Sequence, residues 1–190
     1  MMTRRLPRPT VLVGLVALFA FGIAPRDVRA QDRPRLQLFG GLTLLDTSDV
    51  VDGPSTGWMV GGGWNLTERF GVELQMSRLE QSQSVTFLDI DARFLTLLVG
   101  PTVTWRRGPL LPFGHVLAGT TQLDIAVTSD IPFPLSADSQ DTDGTLVLGG
   151  GVDVPLVQRF WARFVYDYRH VFAVETYSQH GVSASAIYGF

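Results

Sequence analysis

"VSASAIYGF", residues 182–190, closes the chain. Val182, Ala184, Ala186, Tyr188 and Phe190 share one parity and are apolar. Ser183 and Ser185 lie on the other, with Ile187 and Gly189. A period of two sends successive side chains to opposite faces, so the stretch reads as a β-strand with one face in an apolar medium. Most chain ends fray. One that stops on an aromatic inside such a pattern reads as part of a sheet.

The same alternation recurs upstream. Leu36, Leu38, Leu42 and Leu44 oppose Gln37 and Thr43. Trp58, Val60, Trp64 and Leu66 oppose Met59, Gly61, Gly63 and Asn65. Phe70, Val72, Leu74 and Met76 oppose Gly71, Glu73, Gln75 and Ser77. Leu95, Leu97, Val99, Val103 and Trp105 oppose Thr96, Gly100, Thr102 and Thr104. Later, Leu146, Leu148, Val152 and Val154 oppose Gly149, Gly151 and Asp153, and Ala162, Phe164, Tyr166 and Tyr168 oppose Arg163, Asp167 and Arg169. The segment "LPFGHVLAGTTQL" (111–123) is mixed on both faces. With it, the count is eight strands. Helix is a poor alternative, because glycine sits inside the apolar runs and weakens a helix by about 1 kcal/mol per residue.

The connections expected between these strands are short at 66–69, 106–111 and 155–159, and longer at 46–55, 80–89, 124–144 and 171–179. An up-and-down meander fits this asymmetry, as does an outer-membrane barrel with short periplasmic turns and long outer loops. There is also an internal repeat. "GGGWNLTERFGVEL" (61–74) matches "GGGVDVPLVQRFWARF" (149–164) in its three glycines, polar residue, turn and Arg-Phe.

The start of the chain has a different character. "MMTRRLPRP" is basic, "VLVGLVALFAFGIA" (11–24) is apolar, and Val28 and Ala30 offer small residues before Gln31. That order marks a secretory signal peptide over 1–30, cleaved after Ala30. The run is short for a permanent helical anchor, which needs about 20 apolar residues. Residues 31–190 then form one domain. They hold ten arginines against seventeen acids, and the chain has no lysine. This acidic balance argues against nucleic acid as a partner. With no cysteine, disulfides and thiolate metal sites are excluded.

The polar faces are rich in Gly, Ser and Thr and sparse in charge. A water-facing surface would carry more charge, whereas the narrow lumen of an eight-stranded barrel suits small side chains. Aromatics collect on the apolar faces near segment ends: Trp58, Trp64, Phe70, Trp105, Tyr168 and Phe190. They read as a girdle at the membrane interfaces. The expected fold is all-β, an eight-stranded antiparallel up-and-down transmembrane β-barrel. Lipid cannot solvate an open strand edge, so the first and last strands should pair.

The leader, the eight segments, "FVYDYR" (164–169) and the terminal "VSASAIYGF" resemble the small eight-stranded outer-membrane β-barrels, the superfamily of OmpA-like transmembrane domains and opacity-type proteins. The resemblance implies an outer-membrane location. It also implies that Tyr188 and Phe190 form a C-terminal signal read by the barrel-assembly machinery. The implied partners are outer-membrane lipids, that machinery and a surface ligand of the long loops. No cofactor is implied.

Inward charges are the leading site candidates. The repeat puts Glu73 and Arg163 at similar depth on the third and seventh strands, half a turn apart. A Glu73–Arg163 pair is expected, extended by Asp153, Asp167 and Arg169, because an unpaired buried charge costs several kcal/mol. It would plug the lumen; a gated pore or proton path is the competing reading. Asp138, Asp141 and Asp143 form an oxygen-rich stretch beside Gly144, but their spacing fails the EF-hand pattern. A solvated loop is the reading adopted.

The histidines, His115, His170 and His180, are expected at the rim. His170 and His180 flank the last loop near Glu175 and Ser178, which keeps a lipid-modifying enzyme as an alternative. A soluble periplasmic barrel binding an apolar ligand is the other. "NLT" (65–67) matches a glycosylation acceptor by chance, and the glycine triplets lack the helix that a phosphate loop requires.

Overall fold

The computed structural model describes residues 34–46, 54–85, 88–106, 109–129, 136–173 and 176–190. The leader, residues 1–30, lies outside them, as does Glu175. Eight strands follow in chain order: β1 (Leu36–Asp46), β2 (Pro54–Asn65), β3 (Phe70–Val85), β4 (Leu88–Thr104), β5 (Leu111–Ser129), β6 (Ser136–Val157), β7 (Phe160–Phe172) and β8 (Tyr177–Gly189). Each pairs antiparallel with the next, and β8 returns to β1, giving a closed barrel. The closing register runs from Gln37↔Gly189 to Asp46↔His180. The Phe190 amide then donates to the Leu36 carbonyl at 2.9 Å, so the last residue is bonded into the seam.

The strands are unequal. β1, β2, β7 and β8 have 11, 12, 13 and 13 residues. Membrane-crossing strands need about 9–11. β3 to β6 are longer, at 16, 17, 19 and 22 residues. β2 pairs with β3 only as far as Thr56↔Glu80, and β6 with β7 only as far as Gly144↔Phe172. The ladders between them continue to Val85↔Leu88, Leu88↔Ser129 and Thr128↔Ser136. A four-stranded sheet thus rises beyond the closed barrel at the end opposite the short turns. This corrects the sequence expectation of loops at 80–89 and 124–144. Most of both stretches is strand, because ladder hydrogen bonds continue where the side chains turn polar. The connection expected at 155–159 likewise shrinks to Gln158 and Arg159. Arg159 adopts φ 67° there, a left-handed conformation that side chains other than glycine's disfavour.

The apolar parity faces outward. Leu42 is 72% exposed, and Leu38, Leu74, Leu97 and Leu148 are all half-exposed or more. The opposite parity lines the interior, where the sequence pattern suggested mainly small polar residues. The interior also holds three apolar clusters: Phe39, Met59, Trp161 and Ile187 near the short turns; Leu98, Leu117 and Val147 in the middle; and Leu45, Leu79, Ala92 and Phe94, with Leu123 against them, toward the projecting end. β5 accordingly turns Phe113, His115, Leu117 and Thr121 inward. Its faces looked mixed because inward and outward residues are both apolar.

Candidate functional site

Between the first two clusters, charged side chains meet across the lumen. Arg163 is 1% exposed. Its Nε and Nη2 donate to Asp153 Oδ1 and Oδ2 at 2.7 and 3.0 Å, a two-point clamp onto the residue paired with it on β6. Its Nη1 crosses the lumen to Glu73 Oε2 at 2.8 Å. The guanidinium also lies over two aromatic rings, 4.4 Å from the Phe113 centroid and 5.0 Å from that of Phe39. Carboxylates thus occupy the guanidinium's edge and ring faces its plane, an arrangement open to Arg and not to Lys.

Glu73 is flanked in the ladders by Gly63 and Gly100, where a Cβ would meet the Gln37 side chain and the β5 backbone. A second row spans a glycine directly. His115, Gly149 and Asp167 are aligned across β5, β6 and β7. His115 Nε2 and Asp167 Oδ1 are hydrogen-bonded over Gly149 at 2.8 Å. His115 Nδ1 stands 3.8 Å from Glu73 Oε1, which links the two rows.

Glu73, Arg163, Asp153 and Asp167 therefore meet in one buried group. Arg169 lies apart. Its Nη1 donates to Thr96 Oγ1 at 3.3 Å, and Thr96, Thr121 and Thr145 continue as a hydroxyl row with spacings of 3.1 and 2.7 Å. His115 was expected at the rim and is instead 3% exposed inside the barrel. The mixed pattern of the fifth segment hid its parity. The aligned triplet Gly149–Gly151, opposite the inward Asp167 of β7, was the signal that could have placed it.

The other two histidines sit on the outward face of β7 and β8 near the projecting end. Tyr166 Oη is 2.7 Å from His180 Nδ1. Tyr168 Oη donates to Ser178 Oγ at 2.8 Å, and Ser178 Oγ is 3.0 Å from His170 Nδ1. Trp64, Phe70, Trp105 and Phe190 point outward near the short turns, and Trp58 and Tyr168 near the other end. Tyr188 packs edge-on to Phe190 at 4.8 Å and against Phe160 at 5.1 Å. Asp141 and Asp143 share one parity of β6 and Asp138 has the other. Among the described residues no His, Asp and Glu group is suited to a metal ion.

Residues 13–190 match the family described as outer membrane protein beta-barrel domain. No curated protein matches the chain. Among solved structures, Ail, the attachment invasion locus protein of Yersinia pestis, aligns with TM-score 0.59 and 13% identity over 82% of this chain and 98% of that one. Neisserial surface protein A aligns with TM-score 0.53 and 13% identity over 82% and 96%. The N-terminal β-barrel domain of Pseudomonas aeruginosa OprF aligns with TM-score 0.51 and 16% identity over 82% and 99%. At such identities the likeness is one of fold.

Proposed function

The chain belongs to the outer membrane protein beta-barrel family, and on that footing we propose that it is a non-enzymatic surface barrel of the outer membrane whose lumen is plugged. The observation that carries this reading is the Arg163 clamp, which joins β7 to β6 and, through Glu73, to β3 on the far wall. Apolar clusters lie on both sides of it. A path for ions would have to break a buried guanidinium, hydrogen-bonded through all three of its nitrogens, out of this packing. Planar-bilayer recording tests the plug: the purified protein should insert without steady conductance. Steady ion passage by the wild type would make it a pore.

The surface role falls to the sheet formed by the outer ends of β3 to β6, which stands clear of the barrel wall and would meet any ligand first. Tyr188 and Phe190 are assigned to recognition by the assembly machinery. The lipid-modifying enzyme has one observation in its favour, the 3.0 Å contact between Ser178 Oγ and His170 Nδ1 on the lipid side. Ser178 also accepts a bond from Tyr168, and the neighbouring strand amides are committed to the β7–β8 ladder. Thin-layer analysis of lipid A after expression separates the two readings: an unchanged profile is expected, and new deacylated or acylated species would favour the enzyme.

A further inference from the structure

The outward face of β7 and β8 turns from apolar to polar toward its outer end. Tyr166, Tyr168, His170, Ser178 and His180 all occupy lipid-side positions, whereas β6, paired with β7 on the other side, carries Leu146 and Leu148 opposite His170 and Tyr168. They are joined side to side across the strand pair, Tyr166 to His180 and Tyr168 through Ser178 to His170. The rings overlap as well: His180 stacks on Tyr166 and tilts against Tyr168, and His170 meets Phe172 edge-on. Asp46, exposed on β1, lies across from His180 in the closing register. Its charge marks where the apolar band ends, so the cluster sits at headgroup level. Because it adjoins the β7–β8 connection, opposite the short turns, that level is the outer leaflet.

We infer that this face is a binding site for the sugar headgroup of an outer-leaflet glycolipid. Tyr168 spends its one proton on Ser178, and the Ser178 proton is then directed to the Nδ1 lone pair of His170. Tyr166 engages His180 Nδ1 in the same way. With Nδ1 taken up in the network, each imidazole offers Nε2 as its remaining polar atom. The Tyr166 and Tyr168 hydroxyl oxygens keep acceptor lone pairs beside it. Tyr166, 53% exposed, and Tyr168, 39% exposed, offer ring faces against which the C–H face of a pyranose can lie. Donors, acceptors and aromatic faces together are what a polyhydroxylated ring needs. A phosphate would call for Arg or Lys. Among the described residues the outward positions of β7, β8 and β1 carry neither, and Asp46 would repel it. This inference rests on the barrel's place in the outer membrane and not on whether the lumen conducts.

The test uses the full barrel in phosphatidylcholine nanodiscs containing equal small fractions of digalactosyldiacylglycerol and phosphatidylglycerol, with native mass spectrometry counting the lipids that stay bound on release. The galactolipid should be retained about tenfold over phosphatidylcholine, the ratio that corresponds to 1.4 kcal/mol. The double variant Tyr166→Leu/His180→Leu should lose that preference while keeping heat-modifiable gel mobility. Ser178→Ala, which leaves every ring in place and cuts only the relay, should lose part of it and serves if the double variant does not fold. Equal retention of the three lipids, preference for phosphatidylglycerol, or a preference that survives both variants would overturn the assignment. Silence in planar bilayers with no galactolipid preference would sink this site alone and leave the plugged barrel standing.

Discussion

Arg163 is the residue on which the interior depends, and its partners set what each substitution should do. Removing one member of a buried ion pair leaves the other uncompensated, at about 3–5 kcal/mol. Arg163→Met leaves Glu73 and Asp153 buried without their shared cation and should therefore destabilise the barrel by that amount in urea unfolding followed by tryptophan fluorescence in micelles, whereas Glu73→Ala, which leaves Arg163 clamped by Asp153, should cost less. An apolar replacement of all three, Glu73→Leu, Asp153→Leu and Arg163→Met, should recover much of the Arg163→Met loss, because the group's desolvation penalty is removed along with its attraction. Triple-variant stability as low as that of Arg163→Met would mean that Arg163 acts through packing on Phe39 and Phe113. Gly149 is the complementary case. A Cβ there would run into Asp167 Oδ1 and His115 Nε2. Gly149→Ala should separate His115 from Asp167, lower stability, and shift the His115 ring resonances in NMR spectra. Unchanged resonances would show that the barrel yields elsewhere. Parity on clearly alternating strands made Glu73, Arg163, Asp153 and Asp167 legible as inward charges. His115 was not legible, because Phe113 and Leu117 on its own face are as apolar as Val116 and Ala118 on the other.

At the level of elements, polarity misled where hydrogen bonding decided. The stretches 80–89 and 124–144 carry charges and serines, which read as loop. A ladder needs only paired backbone groups, so β3 to β6 continue past the membrane as strands. The short turn at 66–69 was placed well, since apolar alternation stops abruptly on each side of it, whereas the one at 155–159 was drawn too wide because β6 runs on to Val157. The β6–β7 turn still holds a cost that the sequence concealed. The left-handed backbone disfavours a side chain by about 1–2 kcal/mol, while glycine gives back about 0.5–1 in chain entropy. Arg159→Gly, at φ 67°, should therefore stabilise the barrel by about 0.5–1 kcal/mol, read as a higher urea midpoint. A lower midpoint would show that the Arg159 side chain makes a contact worth more than the strain.

For the whole molecule, closure and inversion are one fact: in lipid a sheet survives only without free edges. β8 completes the ring, and Phe190 ends it on the lipid side, bonded to Leu36. If Phe190 also addresses the assembly machinery, Phe190→Ala should reduce the heat-modifiable barrel in outer-membrane fractions while refolding in micelles proceeds normally. Equal loss in both settings would make the residue purely structural.

The inversion itself can be read from tryptophan. Trp64 and Trp105 are 61% and 52% exposed on the lipid side, whereas Trp161 is 5% exposed inside. In vesicles of brominated phosphatidylcholine, a variant retaining only Trp64 should be strongly quenched by the lipid, and one retaining only Trp161 should stay bright. Bright Trp64 beside quenched Trp161, or a barrel that remains monomeric and folded in plain buffer, would contradict a protein with its greasy surface outward.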